Sequence, residues 1–197
     1  MKFNINHQDS FSRGKLLLRT FFGFFYIMIP HMFVRFFVGI WYMIQSVLLP
    51  WVILFTGNMP ESWYKFRAGY IFWGLRVNAS MMNLTDEYPA FGVNGTSKTI
   101  EFSMERPEKL NRLLNFFSFI KAFALIPHIF VIMFVAIGAY FVLFIAWWIV
   151  LFTGKYPENM FNFMVGFIRW MQRINNYMGF MTDKYPPFSG KEIEGEE

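Results

Sequence analysis

The side chains best able to do chemistry in this sequence occur in pairs separated by 97 positions. Paired imidazoles could ligate a metal, paired carboxylates could exchange protons or cations, and paired guanidinium groups could bind phosphate through parallel hydrogen bonds. The pairs are His31 with His128, Asp86 with Asp183, and Arg76 with Arg173.

The surroundings of these pairs weaken the catalytic and metal interpretations. Neither His31 nor His128 has a carboxylate or a second histidine three or four residues further on, and Thr-Asp before Tyr-Pro is typical of a hydrated turn. The chain has no cysteine, which excludes thiol nucleophiles, disulfides and cysteine-bound metal centres. We therefore predict no metal site, no cofactor and no enzymatic activity.

Binding to lipid or to a partner protein suits the same residues better. The arginines could bind lipid phosphate or pair with Asp86 and Asp183, and the alternative is a solvated helix face. The tyrosine and phenylalanine of the Tyr-Pro segment suit a membrane interface. The residues predicted to bind lipid or a partner are Arg76, Arg169, Arg173, Asp86, Asp183, Tyr185 and Phe188.

The pairs belong to an internal repeat. Ile29-Pro30-His31 recurs as Ile126-Pro127-His128, and residues 54–91 match residues 151–188 at 18 of 38 positions without a gap. Chance composition does not give this many identities. The sequence therefore predicts two tandem copies of one unit.

Three helical elements are predicted in each copy. A basic and apolar stretch before Pro-His, too short for a full span, favours an interfacial helix or a wedge in one leaflet. A run of 24 residues follows, Met32–Phe55 or Ile129–Phe152, which at 1.5 Å per residue is about 36 Å and can cross a ~30 Å hydrocarbon core. After Thr-Gly-x-x-Pro, residues 157–181 show amphipathic periodicity, which predicts a helix that lies at the headgroups or packs its polar stripe against a partner.

The predicted fold is thus an all-α integral membrane protein with two tandem repeats, each an N-terminal interfacial or wedge helix, a transmembrane helix and a C-terminal amphipathic interfacial helix. Asn94-Gly95 before an alternating segment indicates a short local hairpin between the copies. The predicted parts are a polar N-terminal segment, 1–12, a first membrane repeat, 13–92, a polar linker, 93–108, a second membrane repeat, 109–190, and an acidic tail, 191–197.

Composition supports a membrane protein. Hydrophobic residues make up 55% of the chain and aromatic residues 22%, which is more large apolar surface than a soluble fold of 197 residues can bury. The net charge of +5 comes from Lys and Arg beside apolar segments, where they suit anionic headgroups rather than nucleic acid.

If each copy crosses the membrane once, the copies are inverted. If each crosses twice as a hairpin, they are parallel, and the distribution of positive charge leaves both arrangements open.

The motifs IPH, LFTGKYP, GFIRW and TDKYPPFS resemble those of an uncharacterised bacterial membrane-protein family, the domain of unknown function DUF4389, over residues 13–92 and 109–190. The resemblance implies a multi-pass protein of the bacterial inner membrane and carries over no activity. The first copy departs from the pattern at four positions, so the second is the better candidate for any binding by the motif. The departures are Asn58, Met59, Phe72 and Ala90, where the second copy has Lys155, Tyr156, Arg169 and Pro187.

We expect a non-catalytic inner-membrane scaffold or an accessory subunit of a larger membrane complex, with amphipathic helices at the lipid interface. The expected partners are membrane lipids and other membrane-protein subunits or a second copy of the chain, and no nucleic acid. The alternative is a small inverted-repeat transporter or channel that acts as an oligomer. That function needs polar groups facing inward at the membrane midplane, for which only Arg35 and Gln45 are candidates.

Overall fold

A computed structural model describes residues 1–193 of the chain as a mostly helical protein with one small sheet. The elements in chain order are β1 (Lys2–Ile5), α1 (Arg13–Gly23), a π-helical turn (Phe24–Met28), α2 (Ile29–Thr56), α3 (Glu61–Met81), β2 (Ile100–Ser103), α4 (Arg112–Phe116), α5 (Phe119–Ala124), α6 (Ile126–Thr153) and α7 (Glu158–Met178).

The first half contains one continuous helical run, Arg13–Thr56. Ser12 caps its start, since its Oγ accepts a hydrogen bond from Lys15 N at 3.3 Å. The backbone stays helical through the π turn and Pro30, which lies in the first turn of α2. No reversing turn precedes α2, so the first half does not form the helical hairpin that the double-crossing alternative requires.

The second half has a similar run with a break. Asn111 caps α4 through its side chain, and the backbone leaves helical angles at Phe117 before α5 begins. The α6 helix then spans 28 residues, as α2 does. The predicted apolar runs therefore lie within helices, and Gly57 and Gly154, with φ of 76° and 72°, end them in the left-handed conformation that glycine allows.

The α3 and α7 helices form the interior of the protein. Each has 21 residues and begins directly after a proline that follows the preceding long helix. The prediction for residues 157–181 was right about the helix and wrong about what its polar stripe faces. Periodicity identifies a polar face but not its neighbour, and here the chain itself covers the stripe: the side chains of Arg169, Gln172, Arg173 and Asn176 are buried.

The N-terminal segment and the linker contribute a strand each. The local hairpin predicted after Asn94 is wrong, because β2 pairs in antiparallel register with β1, with Phe3 opposite Phe102. Phe3 and Ile5 are buried against the helices, while Lys2 on the outer face forms an exposed ion pair with Glu101. The first twelve residues are therefore part of the fold rather than a polar extension.

Equivalent contacts relate the two halves by a local twofold axis between Phe3 and Phe102, the centre of the strand pair. Phe11 N donates to Gly154 O, and Leu110 N donates to Gly57 O, both at 2.8 Å. The start of each helical run thus lies beside the end of the other. Each half therefore supplies a hydrogen-bond partner to the other half.

Two helical segments are long and apolar enough to cross a membrane, Arg13–Thr56 and Ile126–Thr153. The most apolar windows of these segments are only 17% and 11% buried, whereas the core helix of a soluble protein is mostly buried. Each segment packs one narrow stripe against α3 or α7 and exposes Phe, Ile, Leu, Met and Trp side chains on the rest of its surface.

The predicted acidic tail lies partly outside the described residues, which end at Ile193. Within them, Glu192 accepts a hydrogen bond from Arg169 Nη2 at 2.8 Å, and Lys191 O accepts one from Arg173 Nη1 at 2.9 Å. The start of this segment therefore packs on α7 instead of extending into solvent.

Candidate functional site

The histidine of the first Pro-His motif is enclosed by aromatic side chains of its own half. Trp73 Nε1 donates to His31 Nδ1 at 2.8 Å, which leaves the imidazole proton on Nε2. Phe91 stacks on the imidazole with ring centroids 3.9 Å apart, and the Tyr88 hydroxyl donates to Tyr26 O at 3.0 Å. These contacts hold the segment that follows α3 against the π-helical turn and the start of α2.

The second half repeats this arrangement with two of the predicted binding residues. Trp170 Nε1 donates to His128 Nδ1 at 3.0 Å, and Phe188 stacks on His128 with centroids 3.7 Å apart. The Tyr185 hydroxyl donates to Ala124 O at 2.7 Å. The repeated Pro-His and Tyr-Pro motifs therefore join the chain to itself, and each histidine is held within its own half.

Asp86 lies at the start of the first helical run. Its carboxylate accepts a hydrogen bond from Ser12 N at 2.7 Å and lies 3.8 Å from Nη1 of the buried Arg19. Arg19 also donates to the carbonyls of Thr85 and Glu87. The positive end of the helix dipole lies at this helix start and also stabilises the negative charge of Asp86.

Asp183 takes the equivalent place in the second half with a closer cationic partner. Lys121 Nζ is fully buried, 2.9 Å from Asp183 Oδ1, and also donates to Asn115 Oδ1 and Tyr177 O. Burial lowers the pKa of Lys121, and its bond to Asp183 acts in the opposite direction. Asp183 further accepts hydrogen bonds from Asn111 N and from the Asn115 amide.

Arg76 is buried and does not pair with Asp86, contrary to one of the two roles considered for it. Its guanidinium donates to Gly92 O at 2.7 Å and to Gly95 O. Burial, followed by the neighbouring charge of Arg35, lowers the pKa of Arg76 to about 10. The solvated helix face considered as the alternative is therefore wrong for this residue.

Arg173 and Arg169 are buried on α7 and bind the chain's own segments. Arg173 Nη1 donates to Ser189 O at 3.0 Å. Arg169 Nε donates to Phe3 O at 2.8 Å, and its Nη2 pairs with Glu192. Together with the contacts above, each of the seven residues predicted to bind lipid or a partner makes intramolecular contacts. Their binding to other molecules stays a prediction.

Sequence reasoning missed the cations that compensate the two aspartates. Arg19 and Lys121 belong to the basic and apolar stretches before Pro-His, and the structure shows them as buried partners of Asp86 and Asp183. The two cations do not occupy equivalent positions under the 97-residue offset. The repeat therefore gave no signal for them.

A second cluster missed from the sequence lies where α2 meets α3. Arg67 is almost fully buried, and its guanidinium donates to Ser46 Oγ at 3.0 Å, to Tyr42 O at 3.4 Å and to Gly179 O at 3.1 Å. Its Nε has no hydrogen-bond partner, and burial lowers the pKa of Arg67. All three acceptors are neutral groups.

Arg35 extends this cluster along α2. One of its N–H groups donates to Tyr70 O at 3.2 Å, and its guanidinium carbon lies 4.2 Å from the centre of the Tyr70 ring. Among the described residues, no carboxylate comes within ion-pair distance of Arg35, Arg67 or Arg76.

Arg35 and Arg67 line a cavity of about 470 Å³ between α2, α3 and α7. Its other polar lining groups include Asn78, Gln172 and Asn175, and no Asp or Glu contributes to it. In the part of the chain that the structure describes, no group of three His, Asp or Glu side chains could hold a metal ion. The cavity has the size of a small-molecule site, and its charge suits an anion.

These features define the chain as a mostly helical protein with two helices apolar enough to cross a membrane and a polar interior held by buried cations. Residues 118–190 match a family described as a domain of unknown function (DUF4389). No curated protein matches the chain. No solved structure matches it either.

Proposed function

We propose that this protein is a non-catalytic scaffold or accessory subunit of a bacterial inner membrane, built from two tandem copies of one unit and embedded through its two long helical runs. In this function the apolar helices hold a polar body at the membrane, where other subunits bind. The match of residues 118–190 to DUF4389 is consistent with the proposal but supplies no activity.

The observation that carries the proposal is the distribution of polarity across α2 and α6. Their buried stripes contact α3 and α7, and their exposed surfaces carry large apolar side chains along the full length of each helix. In water this surface would far exceed the few hundred Å² of contiguous apolar patch that a soluble monomer tolerates. A lipid environment removes that cost.

The twofold relation of the halves supports one orientation in the membrane. Inverted copies are related by an axis in the membrane plane, and here that axis would pass through the strand pair. The outer face of the pair carries Lys2 and Glu101, whose side chains are 58% and 51% exposed, and charges at the bilayer centre cost several kcal/mol. An axis along the membrane normal is therefore favoured, with both halves in the same orientation and the strands outside the lipid. Because the start of each helical run lies beside the end of the other, both ends of a run then lie at the same depth, and neither run crosses the bilayer from one side to the other.

The use of the polar side chains supports a non-catalytic role. His31, His128, the two aspartates Asp86 and Asp183, and most of the buried arginines of the described residues join one segment of the chain to another. An enzyme needs a group positioned to act on a bound substrate. The charges of the cavity at Arg35 and Arg67 suit binding rather than bond making, because a guanidinium stays protonated at neutral pH.

Cysteine labelling tests the orientation with three single substitutions in a chain that has no native cysteine. Ser62→Cys and Asn159→Cys are exposed equivalents at the starts of α3 and α7, and Glu101→Cys marks the strand pair. We expect a membrane-impermeant maleimide to label all three from the same side of sealed vesicles. Labelling of residues 62 and 159 from opposite sides would instead mean inverted copies and would refute the proposed orientation.

A transporter or channel is the competing function, and the polar cavity between α2, α3 and α7 is the observation that favours it. Purified protein reconstituted in liposomes separates the two. We expect no ion or solute flux above that of empty liposomes, together with co-purification of a membrane protein in mild detergent. If the protein is recovered alone and shows a flux that the Arg35→Ile substitution abolishes, the protein is a transporter and the scaffold function is refuted.

A further inference from the structure

We infer that the cavity between α2, α3 and α7 binds a phosphate group, with Arg35 and Arg67 as the residues that hold it. The cavity has room for a phosphate together with the group to which it is esterified. This inference does not depend on the scaffold role or on how the chain lies in the membrane.

The first step is the imbalance of charge. The other buried cations of the described residues differ in this respect: Lys121 has Asp183 at 2.9 Å and Arg19 lies 3.8 Å from Asp86, whereas Arg76 has no carboxylate within ion-pair distance. Within the described residues, the partners of Arg35 and Arg67 are carbonyls, a hydroxyl and aromatic rings only. Arg67 is buried and Arg35 is half-buried, and buried charges in proteins are normally paired, so a bound anion supplies the partner that Arg67 lacks.

The second step is geometric. Arg35 makes one hydrogen bond in the structure and has five N–H groups, so its remaining donors are free for a ligand. The buried Nε of Arg67 also has no partner. Neutral amide side chains complete the lining, Asn78 from α3 and Asn175 from α7, and they can donate to the remaining phosphate oxygens.

The third step is the contrast between the halves. At four positions of this cluster, the 97-residue offset places an apolar residue in the second half where the first half has a polar one. The fold therefore forms without these charges, and their presence in one half needs another reason. The first-half residues Arg35, Tyr42, Ser46 and Arg67 correspond to Ile132, Ala139, Leu143 and Met164.

A purely structural role accounts for only part of this cluster. Gly179, which accepts from Arg67 at 3.1 Å, caps the C-terminal end of α7, where the helix dipole carries roughly half a negative charge. That partial charge offsets less than one of the two guanidinium groups. Arg76, buried close to Arg35, adds a third positive charge to the same region.

The experiment uses the full chain in an uncharged maltoside detergent with two probes. Inorganic phosphate is titrated against thermal unfolding, and phosphatidic acid is compared with phosphatidylcholine by native mass spectrometry. The test variants are Arg35→Gln alone and the pair Arg35→Ile with Arg67→Met, which copies the residues of the second half. The matched control is Lys65→Gln with Lys98→Gln, which removes two exposed cations that do not line the cavity.

We expect one phosphate-bearing probe to bind the wild type and the control, and to bind both Arg35 variants at least tenfold more weakly. Saturation by inorganic phosphate identifies a small soluble ligand, whereas binding of phosphatidic acid alone identifies a lipid headgroup. Size-exclusion profiles that match the wild type show that the variants are folded. Equal binding by wild type and variants, or no binding of either probe, overturns the inference.

Discussion

The buried pair of Lys121 and Asp183 gives the sharpest prediction about stability. Asp183→Asn removes the negative charge but keeps an oxygen that can accept from Asn111 N. Lys121 Nζ then remains fully buried with neutral partners only. Removing one partner of a buried ion pair lowers the free energy of unfolding by about 3–5 kcal/mol. Because the Asp183 side chain is 21% exposed, we expect the lower end, about 3 kcal/mol.

Asp86→Asn is the matched comparison from the other half. Arg19 Nη1 lies 3.8 Å from Asp86, and the guanidinium keeps its bonds to the carbonyls of Thr85 and Glu87. We therefore expect Asp86→Asn to lower the free energy of unfolding by only about 1 kcal/mol. The same kind of substitution should thus cost about 2 kcal/mol more at residue 183 than at residue 86.

Reversible unfolding in mixed micelles, followed by tryptophan fluorescence, measures these differences. The double variant Lys121→Met with Asp183→Asn should be more stable than Asp183→Asn alone, because it leaves no uncompensated charge. Glu61→Gln, which breaks the exposed pair with Lys65, is the control and should have no measurable effect. Equal losses for Asp86→Asn and Asp183→Asn, or no rescue by Lys121→Met, would refute the reasoning.

Two further predictions concern packing against α3. The Tyr64 hydroxyl is buried without a partner, and burial raises the pKa of Tyr64 to about 12, so the folded protein loses stability between pH 10 and pH 12 as the unfolded tyrosine ionises. Tyr64→Phe, which copies Phe161 of the second half, should lessen this alkaline loss in pH-dependent thermal unfolding, and an unchanged profile would contradict the role of Tyr64. A Cβ at Gly69 would collide with Val93 O, whereas at Gly166 it would lie 3.3 Å from the nearest atom. Gly69→Ala should therefore lower the free energy of unfolding by about 2 kcal/mol and Gly166→Ala by less than about 1 kcal/mol, and the reverse order would contradict the contact with Val93.

The helices were predictable because their signals are local. Long apolar runs followed by Thr-Gly-x-x-Pro predicted where α2 and α6 end, and Gly57 and Gly154 have the positive φ that such ends require. The strand pair was not predictable, since β1 has only four residues and its partner lies almost one hundred residues further on. Nothing local to Asn94 distinguishes a hairpin from a strand that pairs elsewhere.

The sequence predicted neither the contacts of the residues that it singled out nor the cluster around Arg67. The repeat drew attention to Asp86 and Asp183, yet their cations come from positions that the repeat does not relate. Arg35 was predicted only as a candidate for a polar group that faces inward at the membrane midplane, because one helix alone does not reveal a neighbour such as Tyr70. Buried polar contacts depend on tertiary packing, which periodicity does not encode.

The exchange of contacts around Phe3 and Phe102 also bears on how many chains such a protein needs. A chain with a single unit would leave its strand edge and its helix start without partners, and would regain both by associating with an identical chain through one self-complementary surface. In the proposed arrangement of two tandem units, this chain carries the isologous interface within one polypeptide. Covalent connection through residues 92–99 then fixes the assembly at one closed pair, whatever the protein concentration.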